Sequence, residues 1–374
     1  MQPSDEKLVY DYAKPEEEGA LRRLLREIPL SGFLTVSYER EPNFFLATTI
    51  EGDAHDTLVA RLEPSQRLVG LASRSVHRAF VNGKIARLGY LSQVRIVREY
   101  RGGKGLLRVG FAKLHEKHLS DPLSLYITTI IASNKIARRA LAGRRSGVPP
   151  YTEQGVISVL LIPLWPREVS APQRVGIRQA TRDDLPAIAT CLQKQYATYQ
   201  FAPVWTAEDL AHPERVRGLR PEDFWVAVAA DQVVGCIAIW DQRSFKQNVI
   251  RGYGGGLGHL VPTVNWFGRK LGLPPLPRTG EVFPSAYLSH FSANADDPEL
   301  ALALVARGLE EMRKRGTAYA TLGLAERNPL CQKIKKAYRH IEYRSVLFTV
   351  HWEDGQEAVN QLEDRIAHVE VATL

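Results

Sequence analysis

The chain has 374 residues, of which 44% are hydrophobic and 24% charged, with a formal net charge of +8. That length suggests two domains, and this balance excludes a disordered chain and leaves material for packed cores. With no run of about 18 apolar residues a spanning helix is not expected, and MQPSDEKLVYDY at the start lacks a signal-peptide core. Cys191, Cys236 and Cys331 lie far apart. They form neither a disulfide framework nor a metal spacing, so a cytoplasmic setting and no metal are expected. The modest positive charge suits an anionic ligand but carries no nucleic-acid motif, and no specific nucleic acid and no membrane are expected as partners.

In chain order, Leu8 to Tyr12 predicts a short strand and Lys14 to Ile28 a helix, with Pro15 in its first turn, acids near its start and Arg22, Arg23 and Arg26 near its end. Phe33 to Tyr38 is β-prone, and Asp53 to Asp56 is polar enough for a loop. Thr57 to Leu62 and Leu68 to Phe80 alternate as a hairpin pair. Asn82-Gly83 then turns the chain into a third strand, Ile85 to Val97. Arg98 to Gly105 is a turn holding three glycines and the cations Arg98, Arg101 and Lys104, with Arg95 just before it, and Leu106 to Leu119 has helical apolar spacing. A glycine turn that opens a helix offers unpaired amides and the positive end of the helix dipole, which suits a phosphate. It is neither a Walker loop nor a dinucleotide fingerprint. Leu123 to Ile131 reads as a buried strand, Lys135 to Leu141 as a helix behind Asn134, and Val156 to Ile162 as a strand closing the first half.

The stretch YLSQVRIVREYRGGKGLLRVGFAKL (90–114) resembles motif A of the GNAT superfamily of N-acyltransferases, in a variant where the glycines at 103 and 105 follow Tyr100. The strand, Asn134 and short helix resemble motif B. The resemblance implies an α+β fold with a mostly antiparallel central sheet flanked by helices. It further implies acetyl-CoA as co-substrate, held by Val94, Ile96, Val97, Arg98, Arg101, Gly102, Gly103, Lys104, Gly105, Leu106 and Asn134. Amides near Val94 to Ile96 are the expected oxyanion donors. The tyrosine that often follows motif B as general acid is replaced by Leu141, and Tyr151 is its candidate substitute. Glu39 and Glu41 lie where the family places acceptor-site residues and are the candidate bases. Tyr90 and Ser92 are expected along the acceptor channel.

Residues 166–173 form a Pro-containing linker, dividing the chain into 1–165 and 174–374. The second part repeats the order of the first. It has a strand and helix over 175–192, a hairpin at 224–229 and 233–240, a strand at 287–291 and a helix at 299–313. A strand at 318–324, a helix at 328–338 and a closing strand at 343–352 follow. This resembles a tandem, two-domain GNAT arrangement. Where the first part has its glycine turn the second has SANADDPE (292–299), whose acids oppose a pyrophosphate, so only the first is expected to bind acyl-CoA. The second is expected to shape the acceptor site, support the fold or make a homodimer. The insertion at 251–277 is expected to be a loop or lid anchored by Trp266 and Phe267, and Asp241, Arg243 and His290 are expected at strand ends facing the cleft between the parts.

Acetyl transfer to a primary amine, on a small molecule or a peptide, is the leading expectation. Aminoacyl or peptidyl transfer, which tandem GNAT folds also perform, and non-catalytic CoA binding are the alternatives.

Overall fold

The computed structural model describes residues 7–30, 34–101, 105–143, 146–165, 175–270 and 272–374, with only the backbone described at 255–257. The first half runs β1 (Lys7–Tyr12), α1 (Glu18–Glu27), β2 (Leu34–Glu39), α2 (Thr48–Glu51), β3 (Ala54–Glu63), β4 (Arg67–Val81) and β5 (Lys84–Ile96). It continues with α3 (Leu106–Ser120), β6 (Tyr126–Ile131), α4 (Lys135–Leu141) and β7 (Tyr151–Pro163). The second runs β8 (Gly176–Gln179), α5 (Leu185–Tyr196), α6 (Ala207–Ala211), β9 (Phe224–Ala229), β10 (Gln232–Trp240), β11 (Gln247–Tyr253) and α7 (Val261–Lys270). Then come β12 (Ser285–Ser292), α8 (Pro298–Lys314), β13 (Tyr319–Ala325), α9 (Pro329–Ala337), β14 (Ile341–Val350) and α10 (Gln356–Asn360).

The alternating segments form strands where expected, with three local differences. The predicted first helix starts late, because Pro15–Glu17 forms a 3-10 turn before α1. Residues 54–56, expected in a loop, extend β3, because the long β4 supplies partners as far as Ala54↔Val76. Within the insertion, β11 pairs with β2 of the other half and α7 follows. Trp266 and Phe267 do not anchor it: they stand 53% and 56% exposed and stack edge to face at 4.6 Å.

Among the described residues, twelve strands make one sheet in the order β1-β3-β4-β5-β6-β14-β7-β13-β12-β10-β9-β8. The sequence assigns β7 to the first half and β14 to the second, yet each closes the other. β14 lies antiparallel to β6 through Ser345↔Ile131 to Val350↔Tyr126, and β7 lies antiparallel to β13 through Tyr319↔Pro163 to Ala325↔Ile157. The two exchanged strands then pair with each other over their length, so the hydrogen-bond ladder crosses from one half to the other without a break.

Helices cover both faces, as the alternation of side chains requires. In the first half, Leu21, Leu24 and Leu25 of α1 share a core with Val59, Val69 and Leu71. On the other face Phe111 of α3 packs with Val76, Leu91, Tyr126 and Ile130. In the second half, Ile188, Ala189 and Leu192 of α5 meet Val226, Cys236 and Ala238, while Leu300, Leu304 and Val305 of α8 meet Ile237, Ile239 and Leu288. No helix among the described residues is long and apolar enough to cross a membrane.

Candidate functional site

The site begins with a failure of pairing. Parallel strands β5 and β6 are in register only at Gly89↔Tyr126 and Tyr90↔Ile127. Beyond that foot they splay into a V, while β6 continues along β14. Gly89 is required at the foot, since a Cβ there would stand 2.1 Å from the Tyr126 ring. On its other edge β5 carries a bulge against β4. Ser73↔Ser92 and Leu71↔Arg95 bracket one surplus residue, and Gln93 sits at φ +55°. A bulge re-aims amides and side chains that a regular ladder would use up. The hydroxyls of Ser73 and Ser92 are buried there without a partner. No side chain among the described residues accepts from the amides of Gln93, Val94 or Arg95.

At the open end of the V, Val97 caps a 3-10 turn, Arg98–Tyr100, and Gly105 at φ +69° caps α3. The predicted phosphate residues Gly102, Gly103 and Lys104 lie outside the described residues. Arg101 donates from Nε to the Ile96 carbonyl at 2.8 Å, and neither Arg98 nor Arg101 has a carboxylate partner among the described residues. With the α3 N-terminus beside them, these cations suit a phosphate. Asn134 caps α4 by accepting from the Ala137 amide at 3.1 Å.

On the α3 face the V opens into a cavity of about 90 Å3. Its walls include Val94, Ile96, Leu106, Leu107, Phe111, Leu141 and Tyr151. Four of the predicted ligand or acid residues, Val94, Ile96, Leu106 and Tyr151, thus meet in one chamber, together with Leu141. Burial pushes the Tyr151 phenol well above its ordinary range, which keeps it protonated and makes it a reluctant acid.

Glu39 and Glu41 are placed differently from the expectation for free bases. Glu39 is buried and held by Ser37, by Arg26 at 3.3 Å and by Arg251 of the second half. Glu41 is held by Arg22 and Arg26. Burial acts to raise the Glu41 carboxyl, but the two guanidiniums outweigh it and hold it below the usual carboxylate range. A carboxylate engaged in this way is a weak proton acceptor.

The opposite face of the V has a smaller recess, about 10 Å3, lined by residues of both halves, among them Glu51, His77, Tyr90, Ile127 and Glu370. Sequence reasoning did not single out Glu51. It is 3% exposed, pairs with Arg40, lies 3.1 Å from His55 and accepts from Gln93 at 3.4 Å, tying α2 to the β5 bulge. Burial acts to raise Glu51, but Arg40 and His55 prevail and hold it at about 2. Lys246, also missed, donates to the Leu374 carbonyl at 2.5 Å, and burial lowers it to about 8. Burial drops His77 to about 3 and raises Tyr90 to about 12. The one available signal was Ile50-Glu51-Gly52, an acid flanked by a core residue and a glycine packed on the Val76 backbone.

Asp241 and Arg243 pair with each other at the surface. His290 is not at a strand end: it is fully buried in mid-β12 between Trp205, Phe224 and Trp240.

No family model matches the chain, and no curated protein matches it either. Solved structures do. A GCN5-related N-acetyltransferase from Sphaerobacter thermophilus aligns over 98% of both chains at TM-score 0.55 and 16% identity. The N-myristoyltransferase of Saccharomyces cerevisiae, solved with bound myristoyl-CoA, aligns over 98% of this chain and 86% of its own at TM-score 0.60 and 11% identity. A GCN5-related glucosamine N-acetyltransferase region of a fungal β-N-acetylglucosaminidase aligns over 93% of this chain at TM-score 0.57 and 12% identity. At such identities the likeness speaks for fold alone, and the splayed strand pair, the bulge and the capped helix supply the particulars: the chain has the GCN5-related N-acetyltransferase (GNAT) fold, in a tandem, two-half layout.

Proposed function

We propose that the protein is an N-acyltransferase that uses an acyl-CoA donor bound in the first half. The observation that carries this reading is the V between β5 and β6, with a bulge on one arm, a helix N-terminus and two arginines without a carboxylate partner among the described residues at its mouth, and an apolar chamber behind. The pyrophosphate would rest on the α3 N-terminus near Arg98, Arg101 and the 102–105 turn. The pantetheine arm would lie along Val94 to Val97 and fill the edge that β6 leaves unpaired.

The chemistry is direct transfer. The neutral amine attacks the thioester carbonyl, an N–C bond forms, the C–S bond breaks, and the proton lost by nitrogen ends on the thiolate. Amides of the β5 bulge would meet the developing oxyanion. The acceptor would come from the face carrying Tyr90 and Glu51, where both halves contribute walls. Acetyl transfer to a small amine or a peptide stays within this reading, as do Tyr151 as proton donor and Asn134 as a pantetheine contact.

The test is binding and turnover of acetyl-CoA by the full chain, followed by thiol release across an amine panel. Replacing both Arg98 and Arg101 by Ala should weaken CoA binding about tenfold, the scale of one charge-assisted hydrogen bond. Failure of every CoA thioester to bind would overturn the reading.

A further inference from the structure

The cavity beneath α3 is larger than a sheet-helix interface ordinarily leaves, because interiors pack to the density of organic crystals. The second half shows how the same interface closes. Ladder registers equate β4 with β10: Ser73 and Leu71 bracket the bulge in one half as Ala238 and Cys236 do in the other. Ala72 and Arg74 therefore stand where the second half has Ile237 and Ile239. Both isoleucines are buried against Leu304 and Val305 of α8. In the first half the methyl of Ala72 replaces a full side chain. On the helix side Gly110 adds nothing, its nearest neighbours being Tyr10 and Leu58 at 3.8 and 3.9 Å from where a Cβ would be.

The guanidinium and phenol groups at the ends of this chamber are engaged, while the Ser73 and Ser92 hydroxyls at the bulge lack a partner. Arg74 donates to Asp56 at 3.1 Å, to Asp121 at 2.8 Å and to the Tyr126 hydroxyl at 3.4 Å. Tyr10 and Tyr12 donate to the carbonyls of Leu106 and Lys113 on α3, at 3.1 and 3.3 Å, and shut the far end. Apart from the Ser73 and Ser92 hydroxyls, which sit at the V, the walls are mostly apolar, and such a chamber suits hydrocarbon. It runs from β1 under β3, β4 and β5 to Thr128 on β6. Four inter-strand steps span about 19 Å.

We propose that this chamber receives the acyl chain of the donor, and that the natural donor is a medium-chain acyl-CoA of about decanoyl size rather than acetyl-CoA. This rests on the acyl-CoA reading above. At about 1.25 Å of projection per carbon–carbon bond of ~1.5 Å, roughly fifteen carbons would cross the whole width. Part of that width lies at the V and belongs to the thioester and pantetheine, which leaves a chain shorter than the full span. The floor of Gly70 and Ala72 and the roof of Gly110 and Phe111 give a slot for one extended chain, closed by the two tyrosines.

The experiment is a titration of the full chain with acetyl-, hexanoyl-, decanoyl- and myristoyl-CoA. Affinity should rise about fourfold for each of the first added methylenes, the equivalent of ~0.8 kcal/mol apiece, and level off near decanoyl. Ala72→Ile, which installs the second half's side chain, should cut the decanoyl-to-acetyl affinity ratio at least tenfold. The proposal is overturned if acetyl-CoA binds and affinity is flat with chain length. It is equally overturned if Ala72→Ile, with native near-ultraviolet dichroism, keeps the parent's chain-length profile. Binding of no CoA thioester at all is a different result, and sinks the acyl-CoA reading itself.

Discussion

The two halves are built on one plan and diverge at one place. Both have a bulged strand next to a parallel neighbour: Gln93 at φ +55° in β5 and His290 at φ +48° in β12. In the second half the His290 amide donates to the Glu370 carboxylate at 2.8 Å. The chain after α10 then lies over the opening, with Val371 so close to Gly323 that a Cβ there would meet it at 2.1 Å. In the first half Glu51 takes only the Gln93 side chain at 3.4 Å, no carboxylate among the described residues accepts from the bulge amides, and the neighbouring space is a cavity. The lesson is that a GNAT-type cleft is a defect in a sheet that must be filled by something. One half fills it with its own chain, and the other leaves room for a ligand.

The largest effect on this contrast should come from Arg74→Ala. It strips a buried guanidinium from Asp56, Asp121 and Tyr126, where the second half manages with Ile239, and should cost about 3 kcal/mol in urea unfolding. Asp121 is held below its ordinary pKa, first by its bond to Arg74. Its contribution is present above the unfolded carboxylate pKa and is lost as pH falls through the lower folded value, so the parent should lose this stability in acid and the variant should not.

Glu370 runs the other way. Burial raises it to about 7, against the pull of the His290 and Ala372 amides. A carboxyl raised on folding favours the folded state while protonated. Stability should therefore fall as pH rises from about 4.5 to about 7, by roughly 2 kcal/mol, and Glu370→Gln should flatten that slope in thermal melts.

The two cleft glycines sharpen the comparison. Gly89→Ala meets the buried Tyr126 ring and should cost about 2–3 kcal/mol. Gly323→Ala meets Val371, on a segment that can withdraw, and should cost about 1 kcal/mol while raising proteolysis of the last residues. The smallest difference is between the matched caps. Asn134→Ala loses one cap, about 1 kcal/mol. Asn328→Ala loses a cap and also its 3.1 Å hydrogen bond to the Tyr199 hydroxyl, which keeps Gln195 as its other donor, and should cost about 1.5 kcal/mol by chemical denaturation.

Much of the fold is legible in the sequence because apolar alternation and turn residues act locally. Asn82-Gly83 sets the β4–β5 hairpin, and Pro329 and Asn328 start α9 much as their types suggest. The exchange of β7 and β14 is not legible. Both are long strands with buried ends, and nothing in either says which antiparallel neighbour it will join. One internal signal was present and missed: Tyr90-Leu91-Ser92 recurs as Tyr287-Leu288-Ser289, at matched places before the two bulges. The bulges themselves are unreadable, since Gln93 and His290 are not glycines. Of the site, the glycine turn, its cations and Asn134 stand out by residue type. Glu51 and Lys246 do not, because only tertiary packing buries them.

The exchanged strands also set a schedule. β6 ends at Ile131 and its partner β14 begins at Ile341, so 210 residues separate them (341 − 131 = 210). At about 5–20 residues per second of synthesis, β6 waits roughly 10–40 s for its proper neighbour. During that interval its open edge can take β7, the nearer strand, or the edge of another nascent chain. The first half thus cannot finish itself. Its completion is deferred until β14 has emerged, and a chain cut between the halves would have to choose a different sheet.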